Sequence, residues 1–450
     1  MAAPRSYHLV TLGCPKNDVD SEHFERMITG GGLLKSDTAN DADAIVVNTC
    51  GFIEQSQAQS LEAIEVLAVG KRPGQLLVVA GCLTQIRGRE IGERFPAVDH
   101  VIGVGEWPRI ANLLSVEPGA VYDIPEGNAH VKGASAYLKI SDGCDAPCTF
   151  CVIPTIKGDP HSLPLGSLVK EAERLVSAGA KELVLVGQDT TAWGEDLGLP
   201  FATGLPELLG TLADAVGSET WLRVMYAYPS RVTPALIEAM AGRPNILPYL
   251  DVPLQHGSER VLQRMKRPNR IDRVLGAIQE IRGAMPEVVL RTSFIAGFPG
   301  ETEEEFKELL AFAAVVEFDH AGCFTYSRQP LTPAFDESGQ LPDEVKDRRR
   351  DDFMRQQQGI SRDRARRFVG RTLEALVEGT STDENGVTQV IGRTFRDAPE
   401  VDGLVFARGE ARLGAKALVQ VEASGDYDLF GSVVPAATRS GKWRGHESLS

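Results

Sequence analysis

The sequence predicts an α/β protein in three parts: an amino-terminal parallel α/β domain, a central incomplete βα barrel and a small carboxy-terminal β-barrel of OB-like character. Three observations predict it. Short apolar runs alternate with helical stretches through the first two parts, the pattern of parallel sheets covered on both faces. Beyond about residue 370 the runs become half-polar alternations with no helices between them. A length of 450 residues with 42% apolar composition suffices for roughly three such units.

The first part, residues 1–118, offers the strands YHLVTL, AIVVN and LLVVAG, followed by helices near Asp18 to Thr29, Ile53 to Val69 and Thr84 to Phe95. Each strand runs straight into a cysteine: HLVTLGC ends at Cys14, AIVVNTC at Cys50 and LLVVAGC at Cys82. In a parallel sheet all carboxyl ends share one edge, so thiols 36 and 32 residues apart are expected to meet there. Taken singly, each is more readily a small buried apolar side chain. Chance burial has no reason to repeat one topological position, so a three-thiolate iron–sulfur site is the better reading.

A Pro- and Gly-bearing stretch leads into the second part, residues 130–368, with strands AYLKIS, ELVLVG, WLRVMY, LPYLDV, VVLRTSFI and DHAGCFTY. Six strand–helix units are fewer than the eight that close a barrel. Among the helices, SLVKEAERLVSAGA carries the apolar stripe Leu168, Ala172, Leu175 and Val176, with Gly179 at its end. Directly after the first strand, SDGCDAPCTFCVIP places Cys144, Cys148 and Cys151 in one loop. A structural metal site normally takes four protein ligands, so three thiolates leave a coordination position open. The alternative is a structural zinc with His161 as fourth ligand.

Other residues fall at barrel strand ends, where cofactor contacts are expected: Gly187, Gln188 and Asp189, then Gln255 and His256, then GFPGET from Gly297 to Thr302. For GFPGET two readings stand together. The turn either presents backbone N–H groups to an anion or is turn chemistry with Thr302 capping the next helix. Cys323, inside a strand, reads as core. The charged helix over 343–369 reads as having a solvated basic face.

The third part, 369–436, contains TLEALVE, GVTQVIG, GLVFAR, KALVQVEA and YDLFGSVV; in the fourth, Ala417, Val419 and Val421 face one way, the half-buried strand period. Residues 437–450 read as a flexible tail. A net charge of -15 argues against nonspecific nucleic-acid binding and suits a basic partner. Seven cysteines are too few and too scattered for a disulfide framework, and no apolar run approaches the roughly 20 residues of a membrane span, so a cytoplasmic location is expected.

Cys-x3-Cys-x2-Cys with Phe150 before its last cysteine resembles the cluster loop of the radical S-adenosylmethionine enzymes. The whole chain, from about residue 5 to 436, resembles the methylthiotransferases of that group, which join a three-cysteine domain, a radical barrel and a TRAM domain. LGCPKNDVDSE at 12–22, GCFTYS at 322–327, DAPEVDG at 397–403 and DYDLFGSVV at 426–434 resemble the RimO type. The tRNA-modifying relatives typically carry Gln-Met-Asn where this sequence has Pro15, Lys16 and Asn17.

The resemblance implies two 4Fe-4S clusters, on Cys14, Cys50 and Cys82 and on Cys144, Cys148 and Cys151, and S-adenosyl-L-methionine as cofactor. Phe150, Gly187, Gln188, Gln255 and Gly297 are its implied contacts. By the same resemblance, the second cluster reduces the cofactor to a 5′-deoxyadenosyl radical, and the first holds the sulfur that is methylated and transferred. The implied product is an aspartate of small-subunit ribosomal protein twelve methylthiolated at its β-carbon. The implied partner is that basic protein, free or on the ribosome, with sulfur and electron donors left open.

Two positions depart from the family pattern, Lys157 where arginine is frequent and Leu163 where a basic residue is frequent. From Arg371 to Ala436 there are 11 acidic and 6 basic residues, which favours a basic protein over a phosphate backbone. Two alternatives stay open: a tRNA adenosine methylthiotransferase, and a non-catalytic iron–sulfur or RNA-binding protein.

Overall fold

Val46, Val47, Val78 and Val79 lie in strands buried at every position, as strands covered on both faces must be. They belong to a five-stranded parallel sheet of order β2-β1-β3-β4-β5, with β1 at Ser6–Thr11, β2 at Leu34–Lys35, β3 at Ala44–Thr49, β4 at Leu76–Gly81 and β5 at His100–Ile102. Helices α1 (Pro15–Gly30), α2 (Glu54–Gly70) and α3 (Cys82–Arg94) follow its three cysteine-terminated strands. Strands β2 and β5 have two and three residues, too short to show a period in sequence. Helix α1 starts at Pro15, ahead of the expected Asp18, because proline is preorganised for the first helical position.

This computed structural model describes residues 4–116, 124–125, 127, 129, 131, 133–382 and 386–435. The expected tail at 437–450 and most of the boundary between the first two parts lie outside the described residues. No described helix is long and apolar enough to cross a membrane.

The second sheet has six parallel strands in the order β13-β12-β11-β10-β9-β6 and does not close. Its members are β6 (Ser135–Lys139), β9 (Glu182–Val186), β10 (Trp221–Val224), β11 (Ile246–Asp251), β12 (Val289–Ala296) and β13 (His320–Thr325). Between β6 and β9, β7 (Ser141–Asp142) and β8 (His161–Ser162) form an antiparallel ribbon that frames the cysteine loop. Alternation divides the faces. Leu183 and Leu185 pack outward with helix residues such as Leu168, Leu175 and Leu209, whereas Val184 and Val186 point inward. Cys323 is core, as expected.

Strands β14 (Thr372–Thr382), β15 (Thr388–Thr394), β16 (Val405–Arg408), β17 (Lys416–Ser424) and β18 (Leu429–Val434) make a closed barrel of order β14-β15-β16-β18-β17. Its core is continuous with the inner face of the six-stranded sheet: Ala375, Leu376 and Val419 share one apolar cluster with Val184, Val186 and Tyr249. Every strand of the open sheet also contributes a polar residue to this junction. Ser135 and Arg223 both bond Glu182, at 2.6 and 2.7 Å, and Arg393 of β15 reaches the same carboxylate at 2.7 Å. Tyr249 donates to Asp402 at 2.6 Å, Arg291 lies 3.4 Å from Asp402, and His320 Nε2 is 3.1 Å from the Arg396 carbonyl.

The helix Asp343–Ala365 and the turn after it correct the expectation of a solvated basic face in part: Arg348, Arg355 and Arg362 are exposed, but other cations are drawn inward. Arg349 is buried and bonds Glu301 at 2.7 Å, and Arg364 and Arg367 reach Asp319 at 3.3 and 2.9 Å. The physical reason is that Glu301 and Asp319 are buried carboxylates on the sheet side, which require cations.

Glu182→Gln leaves two buried guanidinium groups short of a charge, and chemical denaturation should report a loss of about 3–5 kcal/mol. Burial alone would raise the Glu182 carboxyl, but Arg223 and Arg393 hold it down to about 2 against an ordinary 4.5. Its contribution is therefore fully present above pH 4.5 and disappears as the pH falls toward 2 in the wild type, while the glutamine variant should lack that dependence.

Candidate functional site

The carboxyl ends of β1, β3 and β4 are aligned by register, with Thr11 opposite Asn48 and Thr49 opposite Gly81. Cys14 caps α1, Cys50 follows β3, and Cys82 opens α3. Each has a glycine beside it, and close approach explains why. A Cβ on Gly13 would lie 2.8 Å from Cys50 Cβ, and one on Gly51 would lie 2.9 Å from the Leu83 backbone. Gly81 has φ +96°, and a Cβ there would run into Asn48 and Thr49. The loops are pinned by Asn17, whose amide donates to the Leu12 and Thr49 carbonyls at 2.8 and 3.1 Å, and by Ser60, 3.0 Å from the Cys50 N–H. Burial pushes the Cys82 thiol up to about 12; Lys157 opposes this and Cys50 and Cys14 add to it, which places all three sulfurs within electrostatic reach.

The second trio occupies the loop after β7. Its sulfurs accept hydrogen bonds: Cys144 from the Ala146 N–H at 3.4 Å, Cys151 from the Ile153 N–H at 3.5 Å and Cys148 from Arg267 at 3.7 Å. Such donors stabilise thiolate charge and tune a cluster held by it. Thr149 anchors the loop through the carbonyls of Arg264 and Met265, at 3.0 and 3.1 Å. Phe150 packs beside Val261, Met265, Phe298 and Tyr326. Burial raises Cys144 and pushes Cys151 up to about 12. Binding a metal would displace these protons, because the ligand is the thiolate.

The two trios share one seam. Cys82 packs against Val152 and Ile156, immediately beyond Cys151. Lys157 bonds Asp142 at 3.0 Å and Asp20 of α1 at 3.2 Å, and Lys139 pairs with the same two carboxylates, so a buried quartet of two cations and two anions joins the sheets. Lys157 thereby has a defined role in this chain. Leu163 is core, its carbonyl accepting from the Trp193 indole at 3.0 Å. A second buried contact, Arg26 to Glu171, is bidentate at 2.9 and 2.8 Å.

Among the described residues no three His, Cys, Asp or Glu side chains converge on a point that one ion could occupy. His161 lies in β8, opposite Asp142.

Of the expected cofactor contacts, Gly187 stands at the end of β9, where a Cβ would meet Ser141 Oγ at 2.6 Å. Gln188 keeps a buried side-chain oxygen with no partner among the described residues. Gln255 has φ +77° and bridges to β12, its N–H on the Ser293 carbonyl at 2.9 Å. Asp189 is committed to Arg231 at 2.6 Å, and buried His256 to the Ser258 N–H at 2.9 Å.

Of the two readings of the GFPGET turn, the structure has the capping one and not the presentation of free N–H groups to an anion. The N–H groups of Gly297 and Phe298 already donate to Glu301, at 2.8 and 3.2 Å, and a Cβ on Gly297 would collide with Lys346. Thr302 forms a capping box with Glu305. Sequence reasoning missed Lys16, Tyr226 and Arg267 as site residues. Lys16 was visible in the quoted stretch but carried no local signal of what it faces, and nothing in the sequence marks the positive φ of Tyr226.

The chain matches the Radical SAM superfamily over residues 138–313, the uncharacterized protein family UPF0004 over 6–103 and the TRAM domain over 369–434. Relatives named ribosomal protein uS12 methylthiotransferase RimO are similar along nearly the whole chain. The one from Herpetosiphon aurantiacus is 42% identical, covering 95% of this chain and 100% of its own length. That from a Roseiflexus species is 43% identical, covering 96% and 97%. Among solved structures, the radical S-adenosylmethionine methyltransferase TsrM from Kitasatospora setae shares the fold with a TM-score of 0.57 at 14% identity, over 84% of this chain and 79% of that one. The chain belongs to the RimO family of radical S-adenosylmethionine methylthiotransferases.

Proposed function

We propose that the chain methylthiolates the β-carbon of an aspartate in ribosomal protein uS12, using two 4Fe-4S clusters and S-adenosyl-L-methionine. The observation that carries this reading is the shared seam: Cys82 of one trio packs on Val152 and Ile156 beside Cys151 of the other. Cys14, Cys50 and Cys82 would hold one cluster, and Cys144, Cys148 and Cys151 the other. The glycine-lined strand ends and the N–H donors aimed at sulfur fit such groups. When bound, the clusters and the sulfonium cofactor supply the one-electron and sulfur-transfer chemistry that side chains lack.

This chain's residues position and exclude water. Phe150 and its apolar neighbours wall the second cysteine loop, Arg267 neutralises charge at Cys148, and the buried quartet around Lys157 keeps the trios in register. Gly187, Gln188 and Gln255 are the proposed cofactor contacts, with the unpartnered Gln188 oxygen as an acceptor, and Gly297 is proposed as a further contact through atoms other than its N–H, which Glu301 holds. Acid–base catalysis, worth about 10²- to 10⁴-fold, is insufficient for a hydrogen this weakly acidic, so no general base is assigned.

The acidic surplus of the terminal barrel survives folding and supports a basic protein substrate. Its junction buries Arg393, Arg396 and Asp397 and encloses the Asp402 side chain, so charge is removed evenly from both signs. Action on uS12, either free or within the ribosome, in the cytoplasm follows from this reading.

Anaerobically reconstituted enzyme supplied with cofactor, sulfide, a reductant and uS12 should add one methylthio group to a single aspartate, detected by peptide mass spectrometry. Unmodified uS12 together with methylthiolated adenosine in added tRNA would reassign the substrate. Gly51→Ala should lose roughly half the bound iron, the same loss expected of Cys50→Ala, because the backbone of Leu83 cannot move aside at 2.9 Å. Iron analysis showing a full complement in Gly51→Ala would refute the packing argument.

A further inference from the structure

Beside the cysteine trios stands a cation without a counter-ion. Lys16 is half-buried, and among the described residues its ammonium meets the Gly187 carbonyl oxygen at 3.4 Å and the face of Tyr226 at 4.0 Å. No carboxylate lies within ion-pair distance of it among those residues. Its neighbours differ: Lys139 and Lys157 share Asp20 and Asp142.

Local preference argues against lysine at this position. It is the second residue of α1, near the positive end of the helix dipole, where a cation is unfavourable. Holding its long side chain in place adds a further entropic cost. A residue that conflicts with its local setting at a strand edge marks function more often than stability.

The setting is also rigid and central. Lys16 follows Cys14 by two positions, while Gly187 abuts Ser141 on the ribbon leading to Cys144, so the ammonium spans the seam between the trios. Tyr226 is fixed at φ +61°, its N–H on Asp251 at 3.1 Å and its carbonyl accepting from the Thr190 N–H at 3.2 Å. An ammonium has three donors, and one carbonyl with one ring face leaves at least one free to bond outward.

We propose that Lys16 receives the side-chain carboxylate of the substrate aspartate. This rests on the function proposed above. The reacting β-carbon is bonded directly to that carboxylate carbon, so an ion pair at Lys16 fixes the reacting centre within one bond. A neutral amide offers no equivalent charge, and Lys16 is then a specificity-determining residue rather than a structural one.

The test uses reconstituted holoenzyme and two uS12 peptides, one with the substrate aspartate and one with asparagine in its place. Wild type should bind the aspartate peptide about 10- to 100-fold more tightly, the range of a charge-assisted hydrogen bond. Lys16→Met and Lys16→Gln should abolish that preference, and Lys16→Arg should keep part of it, with iron and sulfide content measured for each. Equal binding of both peptides by wild type overturns the proposal, whatever the variants do. A preference that persists in Lys16→Met, or an equal loss for both peptides, also overturns it. If wild type binds but never methylthiolates the aspartate peptide, the functional reading falls; if it does methylthiolate and the preference ignores Lys16, only this assignment falls.

Discussion

Glu182, fully buried, is held between Arg223 and Arg393, and the placement of the carboxy-terminal barrel depends on that contact. A six-stranded parallel sheet that does not close leaves its inner face exposed. Covering that face with apolar side chains alone would not specify an orientation. Burying a carboxylate and two guanidinium groups does, because each is strongly unfavourable without its partners in place. The terminal barrel therefore docks in one register, with Asp402 on Tyr249 and the Arg396 carbonyl at His320 extending the contact to the last strand.

With the inner face taken, the strand carboxyl ends are the edge left for chemistry, and the amino-terminal sheet is brought to them by a second desolvated set. Asp20, Lys139, Asp142 and Lys157 balance two charges against two, and Arg26 with Glu171 adds a bidentate pair. Two parallel sheets each expose their ligand-binding edge. Joining them edge to edge is what turns two separate cysteine trios into one seam, and Lys157 lies at the join, acting electrostatically on Cys82. At that seam Lys16, on the first turn of α1, meets residues of the second sheet.

Much of this was legible. The strand–cysteine pattern at Cys14, Cys50 and Cys82, the six central strands and the five terminal ones all carry a period of two or a continuous apolar run, and those are local signals. The failures were at charged residues. Arg349 and Arg364 look solvated in a helix of charge because the carboxylates they meet, Glu301 and Asp319, come from elsewhere in the chain. The GFPGET turn left two readings standing, and the tertiary contacts chose between them: Thr302 caps the next helix and Glu301 takes the turn's N–H groups.

Local sequence alone determined the longer strands, their order of appearance and the position of Cys14, Cys50 and Cys82 at strand ends, because periodicity and turn residues act over a few neighbours. Tertiary structure decided which charges are buried, that the two trios adjoin, and that Lys16 faces the second sheet without a counter-ion. Electrostatic partnership in a low-dielectric interior joins residues as far apart as Glu182 and Arg393, and such pairings leave no period in the sequence to be read.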